Sequence, residues 1–181
     1  MYKKLFTAVG MDYNVLDKQI EFDLDAEGRR IQYLNVHSEY LDRFIESLGP
    51  HGKHFYTSYV NIETDVPPHT DIVDSVSLNF YIETGGYRTT FYKSKEGSSK
   101  ETYADHGDGH VYKLDELEVL DSFVANAGDV YLLNGKVIHG VSLDSNYKLP
   151  RKFLQLSTND LDYDQVSNIL RNSCYLQYTL F

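Results

Sequence analysis

A single cysteine, Cys174, and the absence of tryptophan set the first limits on this 181-residue chain. One thiol forms no internal disulfide and supplies no cysteine cluster for zinc or iron–sulfur binding. Prolines number only four and stand at positions 50, 67, 68 and 150. No apolar run approaches the roughly 20 residues a membrane helix needs. Positive charge is also scarce: 17 Lys and Arg face 27 Asp and Glu, a formal net charge of −10. Such a surface repels a nucleic-acid backbone on average and has no general attraction for anionic lipid. The strongest basic run, Lys93 to Lys100, is broken by Glu96. The opening MYKKLFTAVG is basic, but its apolar stretch is short and soon meets Asp12, so it does not read as a secretory signal. The expectation is a soluble, cytoplasmic protein with no direct partnership with bulk nucleic acid or membrane.

Tyrosine is abundant, with 16 residues, and suits strand faces and half-polar pockets. The length suits one domain, residues 1–181, with a core at about 55–158. Leu5 to Val9 and Gln19 to Leu24 read as short extended segments, and Asp25 to Gly28 as a turn. Ser38 is a natural N-cap for a helix from about Glu39 to Leu48. Its apolar residues Leu41, Phe44, Ile45 and Leu48 recur at helical spacing, and Gly49-Pro50 ends it. Strand signals then dominate: Phe55 to Ile62, Val76 to Ile82, Thr89 to Lys93, Ser122 to Ala125, Val130 to Leu133 and Phe153 to Ser157. Asp162 to Asn172 has the pattern of a short closing helix. The pattern predicts a mainly β, mostly antiparallel domain with an N-terminal helix and a short C-terminal helix, closed as a two-sheet jelly roll or cupin-like barrel.

Chemistry concentrates in His69-Thr70-Asp71, His139 and Arg151. In a strand, His69 and Asp71 lie on one face. An imidazole and a carboxylate suit iron(II), manganese or zinc, and His139 would complete a 2-His-1-carboxylate face with open metal positions. An ordinary core histidine bonded to a carbonyl is the plain alternative for His139. Arg151 lies beyond a loop and reads as the start of a strand returning in a hairpin beside the His139 strand. Its planar fork suits a carboxylate. Alternation puts Lys152 on the other face. Asn79 and Tyr81 share the face opposite Leu78, Phe80 and Ile82 and are candidates to bond a bound acid. Thr90 and Ser157 are further candidates for the same cavity. Asp105 to His110 is rich in metal-ligand types but sits among glycines, and reads as a solvated turn or a lid near the cavity mouth.

Pro67-Pro68-His69-Thr70-Asp71, Leu78 to Ile82, Gly128 to Asn134, His139 and Arg151 to Ser157 together resemble the iron(II)- and 2-oxoglutarate-dependent oxygenases. The likeness is greatest to small members of the prolyl-hydroxylase and aspartyl-hydroxylase type, over roughly residues 55–158. The resemblance implies a double-stranded β-helix, iron(II) on His69, Asp71 and His139, and Arg151 on the distal carboxylate of the cosubstrate 2-oxoglutarate. Asn79 or Tyr81 would assist. It implies a dioxygen-consuming hydroxylation that releases succinate and carbon dioxide, with His69, Asp71 and His139 as the catalytic metal ligands. An amino-acid side chain, free or within a protein, is the favoured substrate. Two other readings stand beside it: a cupin-type metalloenzyme that does not use 2-oxoglutarate, and a nonenzymatic β-sandwich of a structural or assembly protein.

Overall fold

A computed structural model describes residues 1–5, 31–35, 38–71, 75–96, 100–102, 109–144 and 150–173. The expected segments Leu5 to Val9, Gln19 to Leu24 and Asp25 to Gly28 fall largely or wholly outside these, as does Cys174. Among the described residues, twelve strands and two α-helices follow in chain order. The strands are β1 (Tyr2–Leu5), β2 (Ile31–Asn35), β3 (Tyr56–Ile62), β4 (Val66–Asp71), β5 (Val76–Glu83), β6 (Tyr87–Ser94), β7 (Lys100–Thr102), β8 (Gly109–Tyr112), β9 (Leu117–Val124), β10 (Val130–Asn134), β11 (His139–Leu143) and β12 (Arg151–Thr158). Helix α1 (Glu39–Ser47) lies between β2 and β3, and α2 (Tyr163–Asn172) follows β12.

The strands form two six-stranded sheets. Sheet A has the order β1-β10-β5-β12-β3-β2, and sheet B the order β7-β8-β4-β11-β6-β9. From β3 to β6 the chain alternates between the sheets, and it does so again from β9 to β12. The result is a mainly β, two-sheet, cupin-like domain with small flanking helices. Gly85 and Gly86, at φ 57° and 75°, make one of the crossings in a tight turn where Tyr87 N–H donates to Thr84 O. Two successive positive φ values favour glycine at both places.

Alternation sorts the core. Leu78, Phe80, Leu154 and Leu156 point to the outer face of sheet A, where they pack with Leu41 and Phe44 of α1 and Val166 and Leu170 of α2. Tyr81, Phe91, Phe123, Tyr131 and Phe153 point inward and pack between the sheets. Phe123 of sheet B and Tyr131 of sheet A stack with centroids 3.9 Å apart and planes 9° apart. Several of the many tyrosines are thus packing residues of the inter-sheet seam.

Ser38 caps α1 as expected, its Oγ accepting from Leu41 N–H. Asp162 and Gln165 form a reciprocal capping box at the start of α2. Asp162→Ala is expected to destabilise the domain by about 1 kcal/mol, read as a lower urea midpoint with unchanged slope.

The expected hairpin between the His139 and Arg151 strands does not form. β11 pairs with β4 and β6 in sheet B, whereas β12 pairs with β3 and β5 in sheet A. A connection through residues 144–150 is long enough to change sheets rather than turn back. Arg151 therefore approaches the interior from the wall opposite His139. β7 and β8 extend sheet B beyond β4, although β8 begins at a glycine.

Candidate metal centre

β4 and β11 bring the two histidines together. His69 and His139 are register partners across the antiparallel ladder, with ring centroids 4.4 Å apart. Asp71, two residues on from His69, presents its carboxylate to both. Its Oδ1 lies 3.3 Å from His69 Nε2, and its Oδ2 lies 3.8 Å from His139 Nε2. One potential ligand atom from each of the three lies within 4.8 Å of the others, and this is the one such group among the described residues. An ion with bonds of about 2.1 Å bridges separations of this size.

The tautomers follow from the backbone. His69 Nδ1 lies 2.8 Å from Pro67 O, and His139 Nδ1 lies 2.9 Å from Val137 O. A carbonyl only accepts, so each Nδ1 carries the hydrogen and each Nε2 lone pair is left for a ligand. This is the supporting arrangement that orients metal-binding imidazoles. Asp71 is pinned by its own backbone: its N–H donates to Gly135 O at 2.8 Å, and its carbonyl accepts from Lys136 Nζ at 3.0 Å.

The two imidazoles differ in their electrostatics. Burial opposes protonation of His69, but the hydrogen bond and charge of Asp71 outweigh it and raise its pKa. Burial, then the nearby His69 and Arg151 charges, hold His139 below the ordinary histidine range despite Asp71. Two imidazoles sharing one carboxylate do not both charge easily. A divalent ion satisfies all three groups at once.

The local strand geometry rests on Gly140. A Cβ there would meet Val66 O at 3.1 Å and Pro68 N at 3.2 Å. The prolines donate no ladder hydrogen bonds, and the pairing slips between His139 and Val141 where they face Gly140. Gly140→Ala would have to push β4 backbone away beside His69. It is expected to destabilise by about 1–3 kcal/mol and to weaken metal binding. Denaturant unfolding and a metal titration check both.

Arg151 is only 2% exposed. Its Nη2 donates to Tyr81 Oη at 2.5 Å and to Thr89 Oγ1 at 2.7 Å, while its Nη1 is buried without a partner among the described residues. The guanidinium lies over the Tyr81 ring, 4.9 Å from its centroid. Thr89 is paired with Val141, two residues from His139, so the arginine lies about 7 Å deeper than the histidine along the strands.

The other expected cavity residues are distributed unevenly. Tyr81 contacts Arg151, and Asn79 lies on the same inner face one step along β5, 4% exposed with Oδ1 unpartnered among the described residues. Thr90 does not meet Arg151: Thr89 does, and alternation turns Thr90 to the opposite face of β6. The shift is one residue of register, which suffices to reverse a side chain. Ser157 shares the inner face with Arg151 but lies six residues along β12, about 20 Å away. That is too far for both to hold one small acid. Lys152 faces outward and pairs with Glu83 at 3.1 Å. Of the ligand-rich run 105–110, only Gly109 and His110 are described; His110 is paired with Thr70, on the face away from His69 and Asp71. Thr89 was missed because nothing in Thr89-Thr90 marks which residue faces inward.

No described helix is long and apolar enough to cross a membrane. No family model matches the chain, and no curated protein matches it. Solved structures align loosely. A hydroquinone 1,2-dioxygenase in complex with cadmium and 4-hydroxybenzonitrile is 15% identical, over 59% of this chain and 58% of that one, with a TM-score of 0.39. An oxalate decarboxylase is 17% identical, over 75% of this chain and 28% of that one, with a TM-score of 0.40. A variant of the Bacillus subtilis oxalate decarboxylase is 16% identical, over 78% and 28%, with a TM-score of 0.39. The chain thus spans little more than half of the first and under a third of the others. The His/His/Asp group, by its own chemistry, is a site capable of binding a divalent metal such as iron(II) or manganese(II).

Proposed function

We propose that this protein is an iron(II)- and 2-oxoglutarate-dependent oxygenase on a double-stranded β-helix, hydroxylating an amino-acid side chain, free or in a protein. The observation that carries the reading is the buried Arg151 with its unpartnered Nη1, on the wall opposite the triad. A buried arginine without an anion is costly, and no carboxylate pairs with it among the described residues. A short dicarboxylic acid reaching from the metal to the guanidinium accounts for both features.

His69, Asp71 and His139 would hold the iron, with three positions left for the 2-oxo acid and dioxygen. Iron with these two cosubstrates supplies an oxidative decarboxylation, to succinate and carbon dioxide, coupled to hydroxylation of a C–H bond. The protein's own residues orient and exclude. Pro67 O and Val137 O fix the two imidazoles in the Nε2-binding tautomer. Tyr81 and Thr89 hold the guanidinium through Nη2, which leaves the unpartnered Nη1 to pair with the distal carboxylate. The rings of Tyr81 and Phe153 lie against the guanidinium, and both belong to the inter-sheet cluster that also holds Phe91, Phe123 and Tyr131. Burial, then Asp129, pushes the Tyr131 phenol up to about 12, so it stays neutral in this seam.

Succinate formation from 2-oxoglutarate, assayed with iron(II) and pooled amino acids and peptides, tests the reading. Turnover in the wild type, lost in both His69→Ala and Arg151→Ala, is the expected result. Iron binding without any binding of 2-oxoglutarate would replace it with the cupin-type metalloenzyme reading.

A further inference from the structure

One short turn carries the supports of two of the three ligands. It runs from Asn134, the last residue of β10, to Val137, two residues before His139, and leads the chain from sheet A into sheet B. Gly135 O accepts from Asp71 N–H at 2.8 Å, and Lys136 Nζ donates to Asp71 O at 3.0 Å. Val137 O accepts from His139 Nδ1–H at 2.9 Å. Three successive residues thus hold Asp71 by both its backbone groups and orient the ring of His139. His69 is held separately, through Pro67 O of its own strand.

Asn134 shapes that turn. Its Oδ1 accepts from Lys136 N–H at 3.0 Å, and its carbonyl accepts from Val137 N–H at 3.2 Å. The first is the bond by which an asparagine side chain mimics a backbone turn, and asparagine is favoured at the first position of such turns. Two neighbouring segments anchor it. Asn134 N–H donates to Met1 O, just ahead of β1, and Gly135 N–H donates to Ser75 O, just ahead of β5. Because β10 and β11 belong to different sheets, no ladder between them sets the path of the turn. These local bonds do.

We infer that Asn134 is a positioning residue of the metal centre: its side chain sets the turn that aims the Asp71 carboxylate and the His139 Nε2 at one point. The inference rests on the metal-centre reading of the triad and is independent of 2-oxoglutarate. Asp71 Oδ2 and His139 Nε2 stand 3.8 Å apart on the adjacent strands β4 and β11. The pairing of these strands slips just past His139, so the ladder alone does not hold that distance. The turn bridges the two ligands directly. Without the Oδ1 acceptor, Lys136 N–H turns to water and the path of residues 135–137 loses a constraint. A displacement of about half an ångström is enough to weaken a preorganised site.

Titration of the whole chain with cobalt(II), followed by visible absorption, tests this with the metal alone. Asn134→Ala is expected to bind cobalt(II) about threefold to tenfold more weakly, the scale of one net hydrogen bond. Asn134→Asp keeps an acceptor for Lys136 N–H and is expected to stay at or above wild-type affinity. Asn134→Ser, whose hydroxyl closes the same turn more weakly, should fall between the two, and stands in for Asn134→Ala if that variant does not fold. Nitrogen NMR of the metal-free chains, at a pH that leaves both imidazoles neutral, gives a readout that general loosening would not. In Asn134→Ala, His139 is expected to show a mixture of Nδ1–H and Nε2–H forms. His69 should keep the single Nδ1–H form, because Pro67 O lies outside the turn. Wild-type affinity in both Asn134→Ala and Asn134→Ser, or equal disturbance of the two histidines, overturns the role of Asn134. Wild-type protein that takes up no cobalt(II) overturns the metal-centre reading instead, and the His139 signal then decides whether the turn aims that ring.

Discussion

His139→Ala is expected to abolish stoichiometric metal binding, lowering affinity by more than about 100-fold, beyond the loss that follows removal of a mere supporting partner. The Nε2 of this side chain faces Asp71 and its Nδ1 is held by Val137 O. Among the described residues no other group of metal-ligand types gathers at this point. His69 and Asp71 alone leave the ion without its third ligand. The fold should survive, because the lost side chain is a 12%-exposed ring at the inner end of β11 rather than part of the outer core. Metal content after dialysis, with circular dichroism beside it, reads the result. His110→Ala is the control: its side chain is on the far face of β8 and should leave metal content unchanged.

Arg151→Met is expected to have a divided outcome. Metal binding persists, since the arginine touches none of the three ligands. Affinity for 2-oxoglutarate falls by about 2–5 kcal/mol, the usual loss when one partner of a buried charge pair is removed. Stability without cosubstrate stays level or rises, because a buried cation without an anion is replaced by an apolar chain of similar length. Tyr81 Oη and Thr89 Oγ1 lose a donor, which limits the gain. An arginine that merely held the fold together would behave in the opposite way, destabilising the cosubstrate-free protein by several kcal/mol. Calorimetric titration and denaturant unfolding on one preparation separate the two. Arg151→Lys should not rescue binding, because a point ammonium does not reproduce the planar fork.

The His69–Asp71 pair could be picked out in the chain because its geometry is local, whereas His139 joins it only through the pairing of β4 with β11. Strand alternation alone puts His69 and Asp71 on one face, and the helix of Glu39–Ser47 is written in Ser38, Leu41, Phe44 and Gly49. The outer core of sheet A was legible for the same reason, in the alternation of Leu78, Phe80 and Ile82. What depended on longer reach was not. Arg151 sits on the opposite sheet rather than in a hairpin with His139, because a strand after a loop pairs wherever the ladder is open, and the sequence between carries no signal of which. Thr89 rather than Thr90 meets the guanidinium, a distinction of one residue that two identical side chains hide. Ser157 shares a face with Arg151 but not a cavity, since periodicity gives direction and says nothing of distance. β8 lies among glycine, aspartate and histidine residues, and its pairing with β4 comes from tertiary contact rather than propensity.

The most direct measurement is equilibrium binding of 2-oxoglutarate to the oxygen-free protein, with and without iron(II), for the wild type and Arg151→Met. The account predicts stoichiometric binding that requires both the metal and the arginine. Binding that is indifferent to iron, or equally tight in Arg151→Met, would contradict it.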